Sequence, residues 1–162
     1  EIIKCDWSSD VCSSDLWLKG PSITPGYWNA PELTAMAFHE SWFRTGDAAM
    51  QDEDGFFYIV DRLKDMFISG GENVYPAEVE AAIAELPGIA QSAVIGVSDE
   101  QWGEVGKAFL VLAPGCTITP DEVTRHCQSR LAKFKVPKLV EIVDALPSTA
   151  SGKVQKHLLR GT

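Results

Sequence analysis

Asp61-Arg62-Leu63-Lys64-Asp65-Met66-Phe67-Ile68-Ser69-Gly70-Gly71-Glu72-Asn73-Val74-Tyr75-Pro76-Ala77-Glu78-Val79-Glu80 divides the chain. Its first five residues include four charged ones, which interrupt the apolar character of Phe56–Val60 before Met66-Phe67-Ile68 resumes it. That pattern reads as a joint between two units. Beyond it, Ser69–Asn73 with its paired glycines reads as a loop. Pro76 suits the first position of a helix, where a missing N–H costs nothing. Val79, Ala82, Ile83 and Leu86 then fall on one face, and Pro87-Gly88 stops the helix.

Working downstream, Ala93–Val97 and Lys107–Ala113 read as two strands around a turn at Ser98–Gly106. Thr119-Pro120-Asp121-Glu122 combines an N-cap, a proline at the first helical position and a Glu at the third. A helix should therefore run through Val123, Cys127 and Leu131 and end by Pro137. Leu139–Val143 is a short strand, Leu146–Lys153 a loop rich in Pro, Ser, Thr and Gly, and Val154–Arg160 a terminal helical turn or two. The order predicts a small α+β domain, a three-stranded sheet with one helical layer.

Upstream, Asn29-Ala30-Pro31-Glu32 supplies a capping residue, a helix-starting proline and a Glu able to close a capping box, so a short helix to about Phe38 is expected. Gln51–Gly55 is a turn signal between Trp42–Asp47 and the β-branched, aromatic strand Phe56–Val60. This part reads as a β-rich stub. Residues 1–16 contain a short Ser-Ser-Asp repeat with no helical or strand period. They resemble the translation of a sequencing adapter at the edge of a gene fragment, and no fold or function is assigned to them.

Hydrophobic residues at 45% and charged residues at 23% point to a globular chain rather than a disordered tail. No apolar run approaches membrane-spanning length. The net charge of -9 argues against nucleic acid as a partner. Its distribution is uneven: from Arg125 onward eight Lys and Arg stand against only Glu141 and Asp144. A solvated basic face explains that as readily as a phosphate site. Cys5, Cys12, Cys116 and Cys127 fit neither a zinc pattern nor a dense disulfide framework, which predicts a reducing, cytoplasmic setting. His39, His126 and His157 have no partner at metal or triad spacing and read as structural.

Four separated segments together resemble the adenylate-forming acyl-CoA synthetases, the AMP-binding superfamily that includes luciferase and nonribosomal-peptide adenylation relatives. They are Gly26-Tyr27-Trp28 to Thr34; Trp42-Phe43-Arg44-Thr45-Gly46-Asp47; Asp61–Asp65 with Ser69-Gly70-Gly71 and Pro76–Glu80; and Leu146-Pro147-Ser148-Thr149-Ala150-Ser151-Gly152-Lys153. The wording of the motifs is closest to fatty-acid ligases. The resemblance implies that residues 17–61 are the last piece of a large AMP-binding domain, 62–64 a hinge, and 65–162 the C-terminal domain. It implies ATP and coenzyme A as co-substrates and a carboxylic acid as substrate. The phosphate loop, the Mg2+ ligands and the acyl pocket would lie in a missing N-terminal domain, so the fragment would be inactive alone. A free-standing non-catalytic domain that binds nucleotide, coenzyme A or a partner protein is the alternative, and a carrier protein remains open as acyl acceptor.

The resemblance also assigns roles. Lys153 sits at the position of the family's catalytic lysine; without the motif, a Lys after Gly is an ordinary surface residue. Asp47 matches a carboxylate that accepts hydrogen bonds from both ribose hydroxyls, and Arg62 its cationic companion; the bland reading is a turn residue beside a surface ion pair of Arg62 with Asp61 or Asp65. Lys64 occupies the hinge, about which the C-terminal domain rotates between adenylation and thioester formation; a solvated linker lysine is equally compatible with the sequence. Gly70 and Gly71 match a loop lining the coenzyme A channel, or serve a tight turn with positive φ. Lys133, Lys135, Lys138, Lys156 and Arg160 could meet coenzyme A phosphates or form a generic basic face.

Overall fold

The computed structural model describes residues 2–5 and 14–160. The chain separates into two compact units, Glu1–Lys64 and Asp65–Thr162, dividing inside the charged Asp61–Asp65 segment.

The first unit is an antiparallel sheet with one short helix. Its elements are β1 (Ile2–Cys5), β2 (Ser14–Lys19), α1 (Pro31–Ala37), β3 (Phe38–His39), β4 (Trp42–Gln51) and β5 (Phe57–Arg62). The order is β1-β2-β4-β3, with β5 also paired to β4. The β4–β5 hairpin forms where expected, and Asp52 closes its turn by accepting hydrogen bonds from the Asp54 and Phe56 N–H groups at 3.1 and 2.8 Å. Two expectations fail. Residues 1–16, assigned no fold, supply β1 and the start of β2, because backbone pairing needs no side-chain period. Asn29 does not cap α1: it adopts φ 50°, Ala30 takes the N-cap position without a side-chain bond, and Thr34 Oγ1 does the stitching instead. That hydroxyl accepts from Tyr27 N–H and donates to the Ala30 carbonyl, both at 2.9 Å.

Burial in this unit is thin. Leu16 and Ala49 form its buried cluster, with Leu18 and Phe57 packed against them, and α1 buries no residue. Trp28 is 92% exposed, and Leu33, Met36, Phe56 and Ile59 are exposed as well. Trp42 and Phe43 are half-buried; Phe43 packs on Phe38 with ring centroids 5.2 Å apart.

The second unit contains β6 (Phe67–Ser69), β7 (Glu72–Val74), α2 (Pro76–Ala84), β8 (Ile89–Asp99), β9 (Gly103–Leu112), α3 (Pro120–Gln128), a 3-10 turn at Lys133–Lys135, β10 (Leu139–Ile142) and α4 (Lys156–Leu159). Its sheet has five strands rather than three. The extra pair arises because the Ser69–Asn73 segment is mostly a hairpin: Gly70 and Gly71, at φ 62° and 89°, make the turn and Ser69 pairs with Glu72. Positive φ at both central residues gives the strand twist that a two-residue connection needs. Strand β9 carries β8 on one side and β10, running parallel, on the other.

The helix signals hold. Pro76 begins α2 and Pro120 begins α3, whose Thr119–Glu122 capping box is fully formed. Val79 and Ile83 of α2 and Val123 and Cys127 of α3 pack against Phe67, Val74, Val94, Ala108 and Leu110. The strand period of two sends Ala93, Ile95 and Phe109 to the opposite face. There the expectation of a single layer fails, since Leu146 and Leu159 cover that face with Val143 and Val154 beside them.

Gly96 on β8 tests this packing: a Cβ there would lie 2.4 Å from Phe67 Cβ and 2.7 Å from Phe67 Cγ. Phe67 is buried in the helical-side core and has nowhere to retreat. Gly96→Ala should cost about 3 kcal/mol of stability, read as a fall in denaturant midpoint with unchanged slope.

Candidate functional site

Asp47 and Arg62 are brought together by strand register. They face each other across the β4–β5 pair, and Arg62 Nε lies 2.7 Å from Asp47 Oδ1 in an ion pair. This ion pair stands where the bland alternative would pair Arg62 with Asp61 or Asp65; Asp61 accepts from the Arg62 backbone N–H at 2.7 Å. Asp47 is 20% exposed and Arg62 57%. The approach to Asp47 is rigid: its N–H donates to Thr45 Oγ1 at 3.0 Å, and that hydroxyl donates to the Leu16 carbonyl at 2.8 Å. Gly46 between them has φ 72°, a conformation that L side chains rarely adopt. Arg62 and Lys64 line an open cleft of about 330 Å3 together with Arg44, Thr45 and Gly46; Asp47 is linked to it by its pair with Arg62.

Lys153 lies at the end of a tight loop whose hydrogen bonds are nearly all internal. Ser148 and Val154 form an isolated antiparallel bridge. Inside it, Thr149 N–H donates to the Lys153 carbonyl at 2.9 Å, Gly152 N–H to the Thr149 carbonyl at 2.9 Å, and Lys153 N–H to Thr149 Oγ1 at 3.2 Å. Gly152 takes φ 81°, which turns the chain. Buried Leu146 and half-buried Val154 pin the two legs to the sheet. The Lys153 side chain is exposed, and among the described residues no carboxylate lies within ion-pair distance of it. This is a fixed backbone presenting a free cation.

The other basic residues of the C-terminal stretch are mostly spent. Lys135 pairs with Glu78 at 2.7 Å, Lys156 with Glu80 at 2.8 Å, Arg130 with Glu85 at 2.6 Å, Lys138 with Asp99 at 3.6 Å and Arg160 with Asp65 at 3.7 Å. The surplus of cations in sequence is therefore largely neutralised by acids from α2 and the flanking loops.

Gly70 and Gly71 serve the turn, and Gly70 serves a close approach too. Its N–H donates to the Trp102 carbonyl at 2.9 Å, and a Cβ would meet Trp102 Cε3 at 2.8 Å. Trp102, which the sequence reading does not single out, lines a cavity of about 230 Å3 with Ser69, Val105, Phe134, Lys133 and Lys138. The Lys138 ammonium lies 5.1 Å from the Trp102 ring centroid. Asp99 organises this corner: hydrogen bonds from Trp102 N–H foremost, against the opposing effect of burial, then Gln101 N–H and the Lys138 charge, hold its carboxyl below the ordinary value. A lone Trp inside a turn carries no spacing signal, which is why only the fold reveals it.

His126 bonds the Ala82 carbonyl at 2.8 Å and ties α3 to α2; His39 stacks edge-on to Trp17. Among the described residues, no group of three or more His, Cys, Asp or Glu side chains could hold a metal ion. No helix among them is long and apolar enough to cross a membrane.

Residues 78–153, from α2 to the free lysine, match the family model for the AMP-binding enzyme C-terminal domain. The second unit belongs to that family. Beyond this AMP-binding enzyme C-terminal domain, the chain is 52% identical over 146 residues to feruloyl-CoA synthase from Amycolatopsis sp, covering 90% of this chain and 30% of the relative. It is 47% identical to the long-chain-fatty-acid–CoA ligase FadD13 of Mycobacterium tuberculosis, covering 93% of this chain and 28% of that one. Among solved structures, o-succinylbenzoate CoA synthetase from Bacillus subtilis, in complex with the acyl-adenylate intermediate OSB-AMP, matches with TM-score 0.90 and 36% identity over 98% of this chain and 33% of that one. The chain thus spans about 30% of the length of the relatives it matches.

The Asp47–Arg62 pair is too exposed to be a structural necessity, because ion pairs of this kind contribute about 0–1 kcal/mol. Asp47→Asn and Arg62→Ala should each shift the unfolding free energy of this chain by less than about 1 kcal/mol, measured by chemical denaturation; a larger loss would mark the pair as a fold element.

Proposed function

We propose that the chain is the C-terminal part of an ATP-dependent acid–CoA ligase, inactive without its N-terminal domain and working in the cytoplasm. In the intact enzyme a carboxylate oxygen attacks the α-phosphate of ATP, pyrophosphate leaves, and the thiol of coenzyme A then displaces AMP from the acyl carbon. The observation that carries this reading is the exposed Lys153 ammonium on its hydrogen-bonded loop. Negative charge gathers on the oxygens of both partners as carboxylate and phosphate meet, and a cation already in place lowers that barrier without reorganisation.

In this proposal Asp47 receives the ribose hydroxyls. Arg62 pairs with it through Oδ1 across the strand pair. A carboxylate accepts only, so a diol suits it. Lys64 is the hinge, and the division of the chain beside it supports that assignment. In the same proposal the coenzyme A arm passes the Gly70-Gly71 turn, and the open space beside Gly71 supports that reading. Mg2+ would be held by the missing domain. The exposed Trp28, Leu33 and Met36 of the first unit favour a parent that covers them over a free-standing binding module. The acid is chosen outside this chain, as the range of acids in the relatives' names fits.

Joining this chain to a matched N-terminal domain should restore acyl-CoA formation. Lys153→Ala in the joined enzyme should then lower the adenylation rate about a hundredfold or more, read by acid-dependent pyrophosphate exchange. Undiminished exchange would remove the mechanism.

A further inference from the structure

Strand β8 is an edge: among the described strands it pairs only with β9. Its outward N–H groups therefore need partners from elsewhere. Val94 N–H finds one in Glu80 Oε1 on α2, at 2.7 Å. The same oxygen lies 2.8 Å from Lys156 Nζ in an ion pair. Lys156 opens α4, three residues beyond Lys153, and α4 packs its Leu159 on the opposite face of the sheet from the buried face of α2. One carboxylate oxygen thus joins α2, the rim of the sheet and the segment that leaves the lysine loop. Lys156 is 16% exposed and Glu80 23%, so the pair is shielded as surface pairs are not.

The geometry around Lys153 makes this joint consequential. On the entry side the loop is fixed by buried Leu146, and across its waist by the Ser148–Val154 bridge. On the exit side, Gln155 N–H donates to the Pro147 carbonyl at 2.7 Å within the loop, and the side-chain tether that ties this leg to α2 is Lys156 to Glu80. We infer that Glu80 and Lys156 are positioning residues that set where the Lys153 ammonium stands, and hence act on adenylation alone. This rests on the proposed role of Lys153. It also takes Lys156 out of the set of cations free to meet coenzyme A phosphates.

The test uses the full-length ligase and its two half-reactions, adenylation by pyrophosphate exchange and acyl transfer from preformed acyl-adenylate to coenzyme A. Lys156→Met removes the tether; Glu80→Gln keeps an acceptor for Val94 N–H and removes the charge. Each should lower the adenylation kcat between tenfold and about a hundredfold, the cost of roughly 1 Å of misplacement. Acyl transfer and the KM for coenzyme A should be unchanged, and Lys156→Arg should restore adenylation. In a Lys153→Ala background, Lys156→Met should add nothing further. Equal losses in both half-reactions, a raised KM for coenzyme A, or losses that multiply with Lys153→Ala would overturn the inference while leaving Lys153 as the catalytic group. Undiminished adenylation in Lys153→Ala alone would overturn both.

Discussion

Strand β9 is buried from both faces, and the second unit is built on that constraint. Ala108 and Leu110 point to the helices while Phe109 between them points away, and all three are almost wholly excluded from water. A strand of this kind needs two covers. Helices α2 and α3 supply one. The other is supplied by Leu146, Val154 and Leu159, residues that flank the lysine loop. The loop is consequently as well fixed as the core beneath it, although its tip is polar and exposed.

The first unit follows a different economy. Its strands pair fully, yet little apolar surface is removed from water, and α1 rests on the sheet without burying a residue. A sheet of that kind is held by backbone bonds and small residues such as Ala48 and Ala49. Missing coverage of this sort is expected of a piece whose neighbours lie elsewhere in a longer chain.

How much of this was legible in the sequence depended on range. The α3 capping box, the Pro76 start of α2 and the β4–β5 hairpin rest on interactions within a few residues, and all were readable. Asn29 misled because its backbone turns to φ 50°, away from the extended conformation of a capping residue, and leaves Ala30 at the N-cap position. Strand β7 was hidden in a segment that reads as loop by composition, since Gly70 and Gly71 occupy only the turn that joins it to β6. The second cover over the sheet was hidden because Leu146 and Leu159 are isolated apolar residues with no period. In the candidate site, motif residues were recognisable one by one, but the Asp47–Arg62 register pair, Trp102 against Gly70, and Glu80 with Lys156 are all joined only by folding.

The twofold use of Glu80 Oε1 has a bearing on solubility as well. An outer strand with bare donors is a template on which another polypeptide can lay itself down. At Val94 that docking point is already filled by a side chain from the same molecule, and the bulk of α2 and α4 flanks it. The rim most able to recruit a foreign strand is thus blunted by the same carboxylate that pairs with Lys156.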